Sequence, residues 1–233
     1  MKRNSSFILG TLLLVMFFLQ GCSDSDDNMS AGAEERSYEV TVLNLSHNQP
    51  FSPVAAIMHG AAYQGMTLGA SASTALEILA ESGDNSGFLA DAKADPAVSD
   101  TTSGTGVIVS GAQGTMSLTG SETRLTIVGM LVNTNDAITV LNGIELGKML
   151  KDETMTLHAR AYDTGTEGNS EAASDIPGPA AGGEGFNAAR NDRDFISVHP
   201  GIVSMDDGLA SSALSEIHRF DNAVAKIIIK RTS

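Results

Sequence analysis

The sequence predicts an all-β domain, an antiparallel β-sandwich with one or two short helices in its connecting segments. The 233-residue chain has 24 glycines, few aromatic residues and no tryptophan, a composition that favours many turns. Several short segments alternate apolar and polar side chains with the period of a strand, and only two stretches have the period of a helix. Many short strands separated by turn residues are typical of a sandwich.

The first strand is predicted from Tyr38 to Leu45, with Tyr38, Val40 and Val42 on one face. In the final strand Ala225, Ile227 and Ile229 share a face in the same way. The other predicted strands cover Gly106–Ser110, Thr115–Thr119, Thr123–Val132, Met155–Ala161, Phe195–Val198 and Ala223–Arg231.

Two short helices interrupt this pattern. Residues 73–82 have an apolar stripe, Thr74 and Glu77 are spaced as a capping box, and Gly83 is suited to ending the helix. A second helix is predicted over residues 87–94, just before an Asp-Pro pair.

The N-terminus has the pattern of a secretory signal peptide. Lys2 and Arg3 precede an apolar run over residues 8–19, which is too short to span a bilayer comfortably. The run ends in Leu19-Gln20-Gly21-Cys22, which resembles the lipobox of bacterial lipoproteins. We therefore expect residues 1–21 to be cleaved and Cys22 to carry lipid; the alternative is an ordinary signal peptide that happens to contain a cysteine.

The same pattern predicts the domain organisation and the location. Residues 22–36 would be the lipidated cysteine and a flexible acidic tether, and residues 37–233 a single domain. Cys22 is the only cysteine, so the domain can form no internal disulfide. Ser23 directly after it favours the outer membrane, which places the protein in the cell envelope, on its periplasmic or surface face.

The charge of the chain excludes some partners. The net charge is −14, and removal of Lys2 and Arg3 with the signal peptide would leave −16. A domain this acidic is not expected to bind nucleic acid or anionic lipid through its charge. Divalent cations and basic partners remain compatible with it.

No catalytic motif is present in the sequence. There is no G-x-S-x-G element, no phosphate-binding glycine loop and no cysteine nucleophile once Cys22 carries lipid. The five histidines lack the spacing of a zinc site. Only His199 borders the long polar segment over residues 163–194, a length that is usually functional or mobile.

Oxygen-bearing side chains follow two of the strands. Asp163-Thr164-Gly165-Thr166-Glu167 and Asn133-Thr134-Asn135-Asp136 could together supply a calcium ion, which takes six to eight oxygen ligands from flexible loops. The alternative is that these acids only hydrogen-bond the backbone of their own turns.

Six motifs then carry a resemblance to a known family. They are N-L-S-H-N-Q-P-F-S-P at 44–53, L-V-N-T-N-D-A at 131–137, Y-D-T-G-T-E at 162–167, I-P-G-P at 176–179, V-H-P-G-I at 198–202 and N-A-V-A-K-I-I-I at 222–229. In this order they resemble the bacterial branch of the spondin N-terminal domain family, over residues 37–231.

The resemblance implies an antiparallel β-sandwich with a calcium ion at one end, held by Asp136, Asp163 and Glu167. This chain departs from the family pattern at three positions, since Ala137 replaces an aromatic residue, Thr164 an alanine and Glu167 an aspartate. We expect a membrane-anchored, non-enzymatic binding or adhesion module with a protein or glycan ligand. The alternatives are a metal-dependent hydrolase of the envelope, which would use His199, and a structural envelope lipoprotein without a ligand.

Overall fold

The computed structural model describes residues 34–189 and 193–233. The predicted signal peptide, Cys22 and nearly all of the predicted tether lie outside these residues. Within them, neither helix is long and apolar enough to cross a membrane.

The described residues form nine strands, all of them paired antiparallel. Their bounds are β1 Arg36–Asn44, β2 Ala55–His59, β3 Val98–Ser103, β4 Gln113–Gly120, β5 Arg124–Met130, β6 Ala137–Glu145, β7 Thr154–Asp163, β8 Ser197–Val198 and β9 Ala225–Arg231.

Strand β7 joins two sheets. Its first part, Thr154–Ala159, pairs with β9, and this sheet continues through β1 to β4. Its last part, Arg160–Asp163, pairs with β6, and this sheet continues through β5 and β2 to β3. Strand β8 adds to the end of β7. The predicted all-β antiparallel class is confirmed.

The main core lies between the two sheets. Tyr38, Val40 and Val42 are buried on one face of β1, as the alternation predicts. They belong to the same apolar cluster as Ile227 and Ile229 of β9 and residues of β2, β4 and β5.

The two helices cover the outer face of the second sheet. Helix α1 spans Thr74–Ser82 and helix α2 spans Ser86–Ala94, so both predicted helices are confirmed. Leu76, Leu79 and Phe88 belong to a second cluster with residues of β2, β5 and β6. Strands β2, β5 and β6 are therefore covered on both faces.

The predicted capping box of α1 is wrong. The N-cap is Ser73, whose hydroxyl accepts a hydrogen bond from the Leu76 amide at 3.2 Å. Thr74 is the first helical residue, so Glu77 lies one position too far along the helix to complete a box. Gly83 ends the helix with a left-handed φ of 75°.

The predicted strand Gly106–Ser110 is also wrong. Ile108 is buried and forms an isolated bridge with Phe51, while Val107 and Val109 on either side of it are exposed. Ile108 therefore packs inward through this single bridge, and the residues around it do not form a strand.

The two ends of the sandwich are chemically different. The chain enters β1 at Arg36, where Tyr38 pairs with Arg231 and Glu34 forms an ion pair with Arg231. Asp163 lies at the other end of β7, and a ten-residue strand is about 30 Å long. The acidic segments singled out in the sequence therefore lie at the end farthest from the point where the chain enters.

Candidate cation site

Strand register brings Asp136 and Asp163 together. Asp136 directly precedes β6, Asp163 is the last residue of β7, and Ala137 is paired with Asp163. Both aspartates are 0% exposed. Two acidic side chains that are distant in sequence thus meet in the interior at one end of the sandwich.

Asp136 organises the turn that follows β7. Its Oδ2 accepts hydrogen bonds from the Thr164 hydroxyl at 2.9 Å and from the amides of Thr166 and Glu167 at 2.9 and 3.2 Å. Its Oδ1 is buried and has no hydrogen-bond partner among the described residues. Oδ2 therefore accepts all the hydrogen bonds from the turn, and Oδ1 accepts none from the described residues.

Asp163 is held from two directions. Its Oδ1 accepts from the Gly165 amide at 2.8 Å, and its Oδ2 accepts from Asn169 Nδ2 at 2.8 Å and Arg193 Nη2 at 2.9 Å. Gly165 has φ of +70°, and a Cβ there would lie 2.5 Å from the Phe195 carbonyl oxygen. The turn therefore needs glycine for both its backbone angle and its space.

Glu167 is buried at the same end of the sandwich and is hydrogen-bonded to Asn135. It is 2% exposed, and its Oε1 accepts from Asn135 Nδ2 at 2.9 Å. The three predicted ligands are thus buried at one end of the sandwich. Within the part of the chain that the structure describes, however, no three His, Cys, Asp or Glu side chains stand as a group that could hold a metal ion.

Glu171 is a fourth buried acid at this end, and no sequence motif pointed to it. It is 1% exposed, and its Oε1 accepts from the Val203 amide at 3.1 Å. Its own amide donates to Asn135 Oδ1 at 3.2 Å. It stands in a segment without periodicity, and only these long-range contacts bring it to the cluster.

Burial makes ionisation of these acids unfavourable. Burial, together with the negative charge of Asp163 and against the hydrogen bonds of the turn, raises the pKa of Asp136 to about 6. Burial likewise raises the pKa of Glu171 to about 7, with the charges of Asp136 and Asp163 adding to the effect. A buried carboxylate is stabilised by an ion pair, by hydrogen bonds or by a metal ion. The guanidinium of Arg193, which is half exposed, supplies one positive charge at Asp163.

His199 lies beside this cluster but is not arranged as a ligand or base. Its Nδ1 accepts from the Gly201 amide at 3.0 Å, and burial lowers its pKa to about 4. The neutral ring therefore carries its proton on Nε2, which has no acceptor among the described residues. The ring also packs on Phe220, with 5.2 Å between centroids.

His59 contacts a buried hydroxyl. His59 Nε2 lies 2.8 Å from Thr126 Oγ1, and His59 Nδ1 lies 2.7 Å from the Gly60 carbonyl oxygen. Both side chains are buried among the strands, so a substrate has no access to the hydroxyl. This pair is part of the packing of β2 against β5.

Two buried oxygens at the acidic end have no hydrogen-bond donor among the described residues, and they are of the type that a hard cation takes as ligands. Asp136 Oδ1 and Asn169 Oδ1 are buried acceptors without donors in the described residues, and each belongs to a side chain beside Asp163. Calcium is bound by such oxygens from carboxylates, amides, backbone carbonyls and water. Metals that prefer nitrogen or sulfur ligands are less suited to a site made of oxygens.

A scan against protein-family models and a search of the curated proteins found no match for this chain. The resemblance to the spondin N-terminal domain family therefore rests on the sequence motifs alone.

Proposed function

We propose that this chain is a lipid-anchored, extracytoplasmic binding module without catalytic activity, stabilised at its far end by calcium. Asp136 and Asp163 would hold the ion, with Glu167 and the amide oxygen of Asn169 beside them. The module would present the loops of this end to a protein or glycan of the cell envelope or surface.

One observation carries the cation part of this proposal. Asp136 Oδ1 is a carboxylate oxygen that is fully buried, has no donor among the described residues, and belongs to an acid whose charge is repelled by that of Asp163. An unpartnered buried acceptor is costly in a folded protein, and a cation would remove both that cost and the repulsion.

The position of the cluster supports a role in presentation. An anchor at Cys22 would reach the domain through the tether that leads to Arg36. The acidic cluster lies at the opposite end, about 30 Å along β7. The loops that surround it thus lie at the end of the domain away from the attachment of the tether, and this is the end that would meet a partner.

Two features support a role in binding over one in hydrolysis. The hydrogen bonds of Asp136 and Asp163 are used to shape the turn after β7, and His199 presents a protonated Nε2 that cannot accept a proton. A hydrolase would need a base within reach of a polarised water. The acidity of the chain also disfavours nucleic acid as the partner.

The experiment is a thermal melt of the full chain in detergent, first stripped with EDTA and then given calcium. A ligand at 100 times its Kd stabilises a fold by about 2.7 kcal/mol. For a domain of this size this raises Tm by about 5–10 °C. Asp163→Asn should abolish the rise.

Asp91→Asn is the matched control, because Asp91 is exposed on α2, which packs mainly on β3 at the edge of the sheet opposite to β7. It should keep the full response to calcium. If calcium does not change the Tm of the wild-type protein, the cation site is refuted and a structural lipoprotein without a ligand is favoured.

A further inference from the structure

Strand β4, Gln113–Gly120, lies at one edge of the sheet and pairs with β1 alone. In an antiparallel pair every second residue directs its amide and carbonyl group to the neighbouring strand, and the residues between them direct theirs to the open side. The Thr119 amide donates to Asp100 Oδ2 of β3 at 2.8 Å, on the side away from β1. The odd-numbered residues of β4 are therefore those that face the open side.

Half of this edge has no partner among the described residues. The amides and carbonyl oxygens of Gln113, Thr115 and Ser117 form no backbone hydrogen bond there, whereas Thr119 is held by Asp100. A cleft of about 110 Å³ lies between this half of β4 and the segment 104–108. The backbone groups of three residues thus remain available to an added strand.

The edge lacks the features that commonly keep edge strands apart. Such strands are often protected by a lysine, a proline or a β-bulge. Residues 113–120 include no charged residue and no proline, and their register with β1 has no bulge. In a chain with a net charge of −14, an uncharged strand is a surface on which two copies can meet without placing like charges opposite each other.

Exposed apolar side chains lie beside the open half of β4. Val107 and Val109 are 58% and 56% exposed. Val107 lines the cleft, and Val109 begins the turn that leads into β4, where its carbonyl oxygen accepts from the Ala112 amide at 3.0 Å. A strand added at this edge would therefore cover apolar surface as well as unpaired backbone.

A second β4 fits this edge by symmetry. Antiparallel pairing of a strand with its own copy gives a closed dimer with one two-fold axis. The register with Thr115 opposite Thr115 of the second copy uses all three free residues, because it also sets Gln113 opposite Ser117. It would extend the row of cross-strand hydroxyl contacts that Thr115 already forms with Thr41 at 3.1 Å.

We propose that the open half of β4 pairs antiparallel with the same segment of a second copy of this chain, with Thr115 on the two-fold axis. A second copy is then the protein partner of the proposed binding function, and the inference rests on that function for the anchor. Arg36, where β1 begins, is opposite Gly120, so the open half of β4 is the half farther from the tether. The two copies overlap by these far halves and their tethers leave at opposite ends, which joins copies anchored in two facing surfaces.

The test is oxidative cross-linking of the full chain in detergent, with one cysteine added on the two-fold axis. Residues opposite each other in a hydrogen-bonded antiparallel pair have Cα atoms about 5.5 Å apart, which is within the range of a disulfide. Thr115→Cys should form a covalent dimer at least tenfold faster than Thr156→Cys. Thr156 is the matched control, because it is also an exposed threonine but lies on β7, which has a strand on either side. The wild type, whose only cysteine is Cys22, gives the background.

A second substitution tests the backbone pairing. Ser117→Pro removes a free amide of the edge without removing a hydrogen bond between β4 and β1. Combined with Thr115→Cys, it should slow cross-linking at least tenfold, whereas Ser117→Ala in the same combination should leave the rate unchanged.

Cross-linking of Thr115→Cys no faster than that of Thr156→Cys would refute the second copy as the partner and leave the edge to a strand of another protein. Unchanged cross-linking in the Ser117→Pro combination would refute the strand pairing. If Thr115→Cys cross-links as expected but Cys22 carries no lipid, the pairing stands, and the proposed anchor and the joining of facing surfaces fail.

Discussion

Asp136→Asn should stabilise the metal-free protein at pH 8 while removing its response to calcium. All the hydrogen bonds that the Asp136 side chain accepts go to Oδ2, so an asparagine can place its oxygen there and keep them. Its amide nitrogen would then stand in place of Oδ1, which has no donor in the described residues, and could donate towards the negative Asp163.

The magnitude follows from the pKa of Asp136, which burial raises from 3.8 to about 6. Keeping this group ionised in the fold at pH 8 costs at most about 3 kcal/mol relative to the unfolded chain. At about 2–4 °C per kcal/mol, the substitution should raise the metal-free Tm by up to about 6–12 °C.

Scanning calorimetry in EDTA at pH 8 measures the effect, with Asp91→Asn as the control that changes Tm little. The same two variants are then measured in saturating calcium, where Asp136→Asn should show no rise. A lower Tm in EDTA for Asp136→Asn than for the control would refute the reasoning, because Asp136 would then be a well-satisfied anion.

Two more outcomes are expected. In EDTA the wild-type Tm should fall as the pH rises from about 6 to 8. Folded Asp136 and Glu171, with pKa values raised to about 6 and about 7, release protons there that the unfolded chain has already lost. Burial lowers the pKa of His199 to about 4, so this residue makes Tm rise with pH only below its ordinary pKa of 6.5. Saturating calcium should remove most of the dependence of Tm on pH. A rise of Tm in EDTA between pH 6 and 8 would be inconsistent with the buried acids. In bacterial cells given radioactive palmitate, the wild type should become labelled and Cys22→Ser should not; label on the variant would exclude Cys22 as the lipid site.

Most of the strands that were predicted correctly have one buried face; β5, which was predicted within Thr123–Val132 and is covered on both faces, is the exception. In β1, Tyr38, Val40 and Val42 alternate with more exposed residues, so a period of two is visible in the sequence. Strand β2 was missed because all five of its residues, Ala55–His59, are buried between the other sheet and the helices. Such a strand is a short apolar run with no alternation to detect.

The candidate site was predictable only in part, for a similar reason. Asp136 and Asp163 stand at strand ends, and pairing of the strands is enough to bring them together. The place of Glu171 depends on contacts with Asn135, Val203 and Ala213, which lie more than thirty residues away in the chain. Contacts between residues so far apart in the chain leave no local pattern in the sequence.

The most direct measurement is a crystal structure of the protein grown with millimolar calcium, with anomalous data to identify the ion. We expect one calcium ion bonded to Asp136 Oδ1 at about 2.3–2.6 Å, with Asp163 among its other ligands. Asp136 Oδ1 occupied by a hydrogen-bond donor, with no ion beside Asp163 in the same crystal, would contradict it.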